Sequence, residues 1–355
     1  MALHEKNAPI NYTQPETAMF ATLTLPAGID LTAPQRTPTV RVRSADDLRN
    51  ALRHARGHAV KLDGSGMDRV LQLDARRRMV ELQAATPWSE LATYLALKKI
   101  EIGAFARMQG TVGEAVGQAS AGPDGMPVVR HVAALTLFTP DGELRRADRN
   151  AHPELFRLAM GGHGVIGVFY SVTLSIDSLL AGASAATDPV ELHIADGRAA
   201  NAPECTIECL LPPASLEAYL KDVRLLADER RIALHGITVR RYQPETETAL
   251  RWATGEWAGV EVRFGTKTTL GASVAAAETR RALLNAALGH GGSFPIRDLR
   301  DATRRQLEAC YPMAAAFLAD KRRSDPAERL QNAWYRKLAT TMRSEGCTVR
   351  WAKAG

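Results

Sequence analysis

The hydrophobic pattern changes period several times along the chain, and each change predicts a new element. After a polar, proline-dotted stretch over residues 1–37, the segment TVRVR alternates as a strand does. Leu48, Leu52 and Ala55 then recur at helical spacing behind Ser44, a residue type that caps helices. We therefore predict a strand–helix unit that follows an irregular N-terminal arm.

Strands and helices continue up to about residue 178. VLQLD and MVELQA predict strands joined by a charged turn, and PWSELATYLALKKI predicts an amphipathic helix with Pro87 at its start. VAALTLFTPDGELRRAD predicts a hairpin around a Pro-Asp-Gly turn. HPELFRLAMGG predicts a short helix, and VFYSVTLSI predicts the strand that follows it. The loose segment AGASAATDP at 181–189 predicts a domain boundary.

The order of elements restarts beyond this linker. ELHI, TIECLL, ITVRRY and GVEVRFGTK predict strands, whereas LEAYLKDVRLLADERR and ETRRALLNAALGHGG predict helices. RDATRRQLEACYPMAAAFLADKRR predicts more helix, and DPAERLQNAWYRKL predicts a helix that opens at Asp325-Pro326. Both halves are α+β in pattern, with domains at 38–178 and 190–340 and a tail at 341–355.

Composition narrows the class of protein only slightly. No apolar run approaches the roughly 18 residues that span a membrane, and MALHEKNAPINYTQ lacks the apolar core of a secretory signal. Four unevenly spaced cysteines indicate a reducing compartment, so we predict a cytoplasmic protein. The net charge of +6 is scattered and is not interleaved with aromatic residues, which argues against a nucleic-acid partner.

The stretch GGHGVIG at 161–167 contains a G-x-G-x-x-G pattern. In a Rossmann fold this pattern follows a strand and opens a helix. Here the glycines follow the helix HPELFRLAM and lead into a strand, so the Rossmann interpretation fails on context. Two interpretations of this turn stay open: tight packing, or a close approach of backbone amides to a ligand.

Three segments carry motifs of a known family, in the order that the family has. They are GTVGEAVGQASAG, then TPDGEL…NAHPELFRLAMGGHGVIGVFYSVTLSI, then the stretch from GHGGSFP to AWYRKL. Together they resemble the vanillyl-alcohol oxidase / p-cresol methylhydroxylase superfamily, and the last segment resembles its bacterial sugar-lactone-type FAD oxidases. The resemblance covers about residues 38–338. It implies a two-part FAD-binding domain, followed by a substrate domain with an antiparallel sheet over the flavin ring.

The resemblance also implies a cofactor and a reaction. FAD would be held non-covalently, because no His stands where some members attach it, and it would take a hydride from a carbinol C–H of a polyol, sugar lactone or similar alcohol. Loop amides would line the flavin and its phosphates, Ser120 and Gly122 would border the isoalloxazine, and the glycine turn would lie at the adenine end. The implied cofactor-binding residues are Gly110, Thr111, Val112, Gly113, Ser120, Gly122, Gly164, Gly167 and Val168.

GVEVRFGTK places Glu261 and Arg263 on one face of a strand, about 7 Å apart. By resemblance, Glu261 would orient the substrate hydroxyl or accept its proton, and Arg263 would offset negative charge on the reduced ring. An exposed strand face with alternating charges is the alternative. Lys321 matches a family lysine near the flavin, with a solvated helix end as the alternative. Glu261, Arg263 and Lys321 are thus the implied catalytic residues, and His54 and His58 lack a third ligand for a metal site.

The match to the family breaks at its first phosphate loop. Either Asp63–Gly66 forms this loop, or VKLDGSGMDRVLQLD aligns with a later strand of the family and the loop is missing. We favour the second register. Val112-Gly113-Glu114 also replaces a V-G-G motif and puts a carboxylate where it would face the phosphates. The alternative function is therefore a flavin-free homologue that acts as a partner or binding subunit.

Overall fold

The computed structural model describes residues 22–23, 39–54, 60–192, 203–299 and 301–343, and these residues form three β-sheets with helices packed on them. The predicted α+β class is confirmed. The strands are β1 (Thr22–Leu23), β2 (Thr39–Arg41), β3 (Val60–Asp63), β4 (Val70–Asp74), β5 (Met79–Gln83), β6 (Val132–Phe138), β7 (Leu144–Asp148), β8 (Val168–Ser175), β9 (Val190–Leu192), β10 (Glu204–Leu211), β11 (Leu234–Tyr242), β12 (Trp257–Gly265) and β13 (Leu330–Gln331). The helices are α1 (Ala45–His54), α2 (Trp88–Ala96), α3 (Gly103–Ala106), α4 (Val112–Gly117), α5 (Pro153–Ala159), α6 (Ile176–Ser184), α7 (Leu216–Arg230), α8 (Leu270–Gly289), α9 (Arg304–Cys310), α10 (Ala314–Ser324) and α11 (Ala333–Arg343).

The first sheet has the strand order β13-β1-β3-β2. β2 and β3 run parallel, and α1 lies between them in the chain, capped as predicted by Ser44, whose Oγ accepts a hydrogen bond from the Asp47 N–H at 3.1 Å. β1 pairs with both β3 and β13. The prediction of an irregular arm over 1–37 is therefore wrong for Thr22–Leu23, and the rest of that arm lies outside the described residues.

A compact turn connects β3 to β4. The Met67 N–H donates to the Gly64 carbonyl at 2.9 Å, and the Ser65 N–H donates to Asp63 Oδ1 at 3.0 Å. A Cβ on Gly66 would lie 2.7 Å from Arg43 Cγ, so the turn packs directly on the chain that leaves β2. This geometry supports the register in which no separate phosphate loop follows β3.

The second sheet is antiparallel, with the order β4-β5-β8-β6-β7. It contains the predicted hairpin of β6 and β7, whose turn has Gly142 at φ +86°. One face is buried against α2, α3 and α4. The residues of this hydrophobic cluster include Val80, Leu82, Leu135, Val172, Leu174, Trp88, Leu91, Phe105 and Val116. Helix α5, the glycine turn and β8 follow one another in the order that excluded a Rossmann unit.

Helix α6 begins directly after β8. Ser175 caps it, and its hydroxyl accepts a hydrogen bond from the Ser178 N–H at 3.3 Å. The prediction of a loose linker over 181–189 is therefore wrong for residues 181–184. The small residues there serve close packing, because a Cβ on Gly182 would lie 3.1 Å from the Phe105 ring.

The third sheet is also antiparallel, with the order β10-β12-β11-β9. Helices α7 and α8 pack on one of its faces, where apolar side chains of alternate positions are buried. These are Ile207, Cys209, Val260, Val262, Tyr219, Val223 and Leu283. The opposite face carries the polar residues of the same strands, including Glu208 and Glu261, which lie directly across from each other.

The C-terminal helices depart from the prediction at two points. The helix predicted over RDATRRQLEACYPMAAAFLADKRR is two helices, α9 and α10, which residues 311–313 separate. Helix α11 begins at Ala333, so the helix predicted to open at Asp325-Pro326 is wrong over its first residues. There the Asp325 carboxylate accepts hydrogen bonds from the N–H groups of Arg329 and Leu330, and this turn directs the chain into β13.

None of the helices in the described part of the chain has both the length and the hydropathy needed to cross a bilayer. The same residues contain no group of three or more side chains suited to hold a metal ion. His58 and Cys347 lie outside them, whereas Cys205, Cys209 and Cys310 are free thiols.

Candidate functional site

The segment from Ala119 to Met126 is fixed against the third sheet. The Trp252 indole donates to the Ala119 carbonyl at 2.7 Å, and its ring meets the Tyr242 ring edge-on at 5.1 Å. The Gln243 N–H donates to the Gly125 carbonyl at 2.8 Å. Gly125 has φ +76° and lies on the Arg241 carbonyl, so a side chain has no room there. This contact brings the end of β11 onto the loop that resembles a flavin-ring segment.

Glu261 lies in the middle of the polar face of the third sheet. Its neighbours across the two adjacent strands are Glu208 on β10 and Thr238 on β11. The Glu261 carboxylate has no hydrogen bond or ion pair among the described residues, and the buried Thr238 hydroxyl has no partner either. Like charges directly opposite on neighbouring strands are destabilising. Folding alone therefore gives no reason for this arrangement, which suits a ligand that supplies the missing hydrogen bonds.

Both carboxylate oxygens of Glu208, in contrast, have a partner. The Tyr242 hydroxyl donates to one of its carboxylate oxygens at 2.5 Å, and Arg297 forms an ion pair with the other. Burial first, and then the Glu208 charge, raise the pKa of Tyr242 well above its ordinary value, so the phenol stays a donor. Glu208 thus anchors Arg297 at the edge of the polar face.

Arg263 lies two residues beyond Glu261 on the same face. Its guanidinium covers Gly236 on the neighbouring strand, where a Cβ would lie 2.6 Å from Nη2. The nearest carboxylate in an ion pair is Glu191, at 4.0 Å. The structure therefore brings the two predicted residues Glu261 and Arg263 together on one partly open surface.

Lys321 lies elsewhere, inside the C-terminal helices. Its side chain is fully buried, forms an ion pair with Asp325 one turn later, and has its ammonium 5.6 Å from the centre of the Tyr335 ring. Burial lowers its pKa, and Asp325 opposes that shift. The structure does not place Lys321 on the polar face with Glu261 and Arg263.

The predicted cofactor-binding amides at the start of α4 are engaged within the chain. The Val112 N–H donates to the Thr86 carbonyl at 2.9 Å, and the Gly113 N–H donates to the Ala84 carbonyl at 2.8 Å. A Cβ on Gly113 would lie 2.6 Å from Ala84 Cβ, so this glycine is needed for packing. These donors are not free for a phosphate.

Thr111 and Glu114 form a capping box at the start of α4. The Glu114 N–H donates to Thr111 Oγ1 at 3.2 Å, and the Thr111 N–H donates to Glu114 Oε2 at 3.4 Å. The carboxylate fills the space that a side chain on Gly110, at φ +74°, would need. Its other oxygen, Oε1, is buried without a partner, and burial raises the pKa of Glu114.

We predict that Glu114→Gln makes the protein more stable than the wild type at neutral pH. A carboxyl group whose folded-state pKa is raised stabilises the fold below its unfolded pKa, and that contribution is lost as the pH rises through the folded pKa. The advantage of the variant should therefore vanish at about pH 4 and grow towards neutrality, measured by urea unfolding across this range. Glu154→Gln, in the exposed first turn of α5, is the control and should show no such trend. Equal pH dependence of both variants would contradict the assignment.

Ser120 and Gly122 lie on the loop fixed against the third sheet. The Ser120 main chain bonds to Ala115 and Val128 at 2.8 Å each, and the Gly122 N–H donates to the Met126 carbonyl at 2.6 Å. The half-buried Ser120 hydroxyl has no partner among the described residues. It is a free polar group at the position predicted to border a flavin ring.

The glycine turn has an open part and a packed part. Gly164 has φ +73° and no atom within 4 Å of the position of a Cβ, whereas a Cβ on Gly167 would lie 2.5 Å from Leu137 Cδ1. Val168 is buried and pairs with Phe138. Of the three predicted adenine-end residues, only Gly164 leaves space beside the backbone.

His163, between these glycines, is held in a left-handed conformation at φ +51°. Its ring stacks on Trp334 at 3.9 Å with an angle of 13° between the planes, and its Nε2 is buried without a partner. Burial, followed by the charge of Arg297, lowers the pKa of His163 to about 3. The imidazole is therefore neutral across the physiological range.

Sequence reasoning missed Glu208, Tyr242, Arg297 and Trp334 as members of this region. Their contacts join positions far apart in the chain, such as Glu208 with Arg297, and no local motif marks them. The signal that was available is the position of His163, a bulky residue within a glycine turn.

The residues fit the two ends of FAD differently. Near the third sheet, the free hydroxyls of Ser120 and Thr238 and the Glu261 carboxylate leave hydrogen-bonding capacity for a ring and a substrate. At α4 the amides that would meet the diphosphate are engaged, and Glu114 adds a carboxyl group. Polar groups near the third sheet are thus free for a ligand, whereas the predicted phosphate contact at α4 is closed.

Comparisons with known proteins agree with this architecture. Residues 49–148 match the sequence model of the family described as FAD binding domain. Among solved structures, the chain is similar to alkyldihydroxyacetonephosphate synthase, with a TM-score of 0.56, 10% identity, and coverage of 82% of this chain and 75% of that chain. A search of the curated proteins finds no match. The chain therefore has an α+β fold with an FAD-binding-domain region, followed by an additional antiparallel sheet.

Proposed function

We propose that this protein is an FAD-dependent oxidoreductase that oxidises the carbinol C–H of a small hydroxylated substrate, such as a polyol or sugar lactone. The observation that carries the proposal is the unpartnered Glu261 carboxylate beside the buried, unpartnered Thr238 hydroxyl, on a sheet face whose edge contacts the loop from Ala119 to Met126. Such convergent, unsatisfied polar groups mark binding sites.

The residues of the polar face have separable roles in this proposal. Glu261 accepts the hydroxyl proton of the substrate, because it has no competing partner in the described structure. Arg263 supplies positive charge two residues away, and Thr238 orients a second substrate oxygen. Bound FAD would supply the hydride acceptor. The Ser120 hydroxyl and the backbone at Gly164 would hold it, without a covalent bond.

The absorption spectrum of the purified protein tests this proposal. We expect flavin bands in the visible region, either as isolated or after incubation with FAD, and release of the flavin on denaturation. Anaerobic addition of polyols or sugar lactones should then bleach the bands. A protein that stays colourless at millimolar FAD would refute the proposal.

A second function, a flavin-free binding or partner subunit, has one specific observation in its favour. The amides of Val112 and Gly113 are engaged within the chain, and a compact turn stands where a phosphate loop would follow β3. Charge-assisted hydrogen bonds contribute roughly 1.5–3 kcal/mol each, so the loss of two or three weakens FAD binding by about two to six orders of magnitude. Co-purification of a separate flavoprotein with a colourless chain would favour this second function.

A further inference from the structure

Arg297 and His163 lie at one place between the glycine turn and the third sheet. The His163 ring stacks on Trp334 at 3.9 Å, and the Trp334 indole donates to the carbonyl of Ile296, the residue before Arg297, at 2.9 Å. On its other side, Arg297 forms an ion pair with Glu208 on β10. The segment Ile296-Arg297 therefore connects the sheet that carries Glu261 with the turn that carries Gly164.

The Arg297 guanidinium keeps hydrogen-bonding capacity for a ligand. Its five N–H donors make one hydrogen bond among the described residues, to Glu208, and 37% of the side chain is exposed. Asp298, which follows it, is half-buried and has interactions of its own. A guanidinium with free donors in a fixed position is suited to phosphate or carboxylate oxygens.

His163 adds a second group that needs a partner. Its main chain is fixed on both sides, because the N–H donates to the Gly117 carbonyl at 2.8 Å and the carbonyl accepts from the Asn332 amide at 2.7 Å. A left-handed conformation is strained outside glycine and persists where the surroundings impose it, which is often at a functional site. Here it holds the ring against Trp334, with Nε2 buried and unsatisfied.

We propose that Arg297 and His163 form an anion subsite that binds a phosphate or carboxylate group of a ligand lying between the glycine turn and the third sheet. Arg297 supplies the charge and several N–H donors, and the His163 ring supplies one further hydrogen bond. The open space beside Gly164 admits the ligand. The anion has two sources, the diphosphate of a flavin nucleotide or an acidic group on the substrate. Only the choice between these two sources rests on the proposed function.

Binding of defined anions tests the subsite without any turnover. Sodium pyrophosphate, lactate, FAD and riboflavin are titrated at constant ionic strength by calorimetry, with wild type and Arg297→Gln. We expect at least one anionic probe to bind, and its affinity to fall about ten- to a hundredfold in the variant. If Arg297→Gln weakens the binding of FAD but not of riboflavin, the subsite binds the diphosphate of the flavin nucleotide. If it weakens the binding of lactate but not of FAD, the subsite binds an acidic group of the substrate.

Two further variants separate binding from folding. Arg297→Lys keeps the charge beside Glu208 and should lose less affinity than Arg297→Gln, whereas His163→Gln should lose about tenfold with the ion pair intact. Arg224→Gln, on the exposed side of α7, removes the same charge elsewhere and should bind as wild type does. The subsite is refuted if no anionic probe binds the wild type, or if Arg297→Gln and Arg224→Gln bind alike. A colourless protein that still binds pyrophosphate through Arg297 would refute the oxidoreductase and leave the subsite standing.

Discussion

Replacement of Asp325 by Ala is expected to lower the free energy of unfolding by about 3–5 kcal/mol, the cost of leaving one charge of a buried pair without its partner. Lys321 and Asp325 are 0% and 1% exposed, so solvent does not screen the ammonium that remains. The variant also removes the acceptor for the N–H groups of Arg329 and Leu330. Urea unfolding followed by circular dichroism measures the loss.

The double variant Lys321→Met/Asp325→Asn is the control for this pair. It removes both charges and keeps a side-chain oxygen for one of the two backbone donors. It should recover much of the stability, because neutral replacements of buried ion pairs are often tolerated. If Asp325→Ala loses less than about 1 kcal/mol, the buried pair is not a structural element of the C-terminal helices. Lys321 would then be free for the role near the flavin that the family resemblance implies.

Glu261→Gln is expected to reduce the rate of flavin reduction by about a hundred- to ten-thousandfold, the range that a positioned general base contributes. The amide keeps the shape of the side chain and one acceptor oxygen but cannot take a proton. Stopped-flow reduction of the FAD-loaded protein, with the polyol or lactone that reduces the wild type fastest, measures this change.

The matched control is Glu256→Gln, an exposed glutamate just before β12. It should leave the rate within about twofold of wild type and unfold at the wild-type urea concentration. Glu261→Gln should unfold at the same or a slightly higher urea concentration, because it removes the like charge opposite Glu208. A Glu261→Gln protein that reduces its flavin at the wild-type rate would remove Glu261 from the reaction. Arg263 would then be the remaining candidate on the polar face.

Local periodicity predicted most elements of the fold because the determinants lie within each segment. The Ser44 cap, the hairpin turn at Gly142 and the strand alternation around Glu261 act over a few residues, and the structure has each of them. Helix α6 was missed because its small residues resemble a linker, although Gly182 is small in order to pack against Phe105. The start of α11 was predicted too early for a similar reason. Asp325 is a residue type that caps helix starts, but here it ends α10 and pairs with Lys321.

The candidate site was predicted only in part, for a physical reason. Glu261 and Arg263 share a strand face, so spacing alone brings them together. Glu208 and Arg297 are 89 residues apart in the chain and meet through tertiary packing, and no pattern of apolar residues encodes such a contact. At Glu114 the signal was present in the sequence, because Thr111 and Glu114 have the spacing of a capping box, but the carboxylate was interpreted as facing a phosphate.

The position of β1 between β3 and β13 has a consequence for biosynthesis. β13 comes about 300 residues after β1, so during translation one edge of β1 stays unpaired until residues 330–331 have left the ribosome. Exposed strand edges invite association between nascent chains, and long-range pairings form slowly. We therefore expect production of this protein to depend on chaperones that shield the early segments, and yields to rise when synthesis is slowed by low temperature.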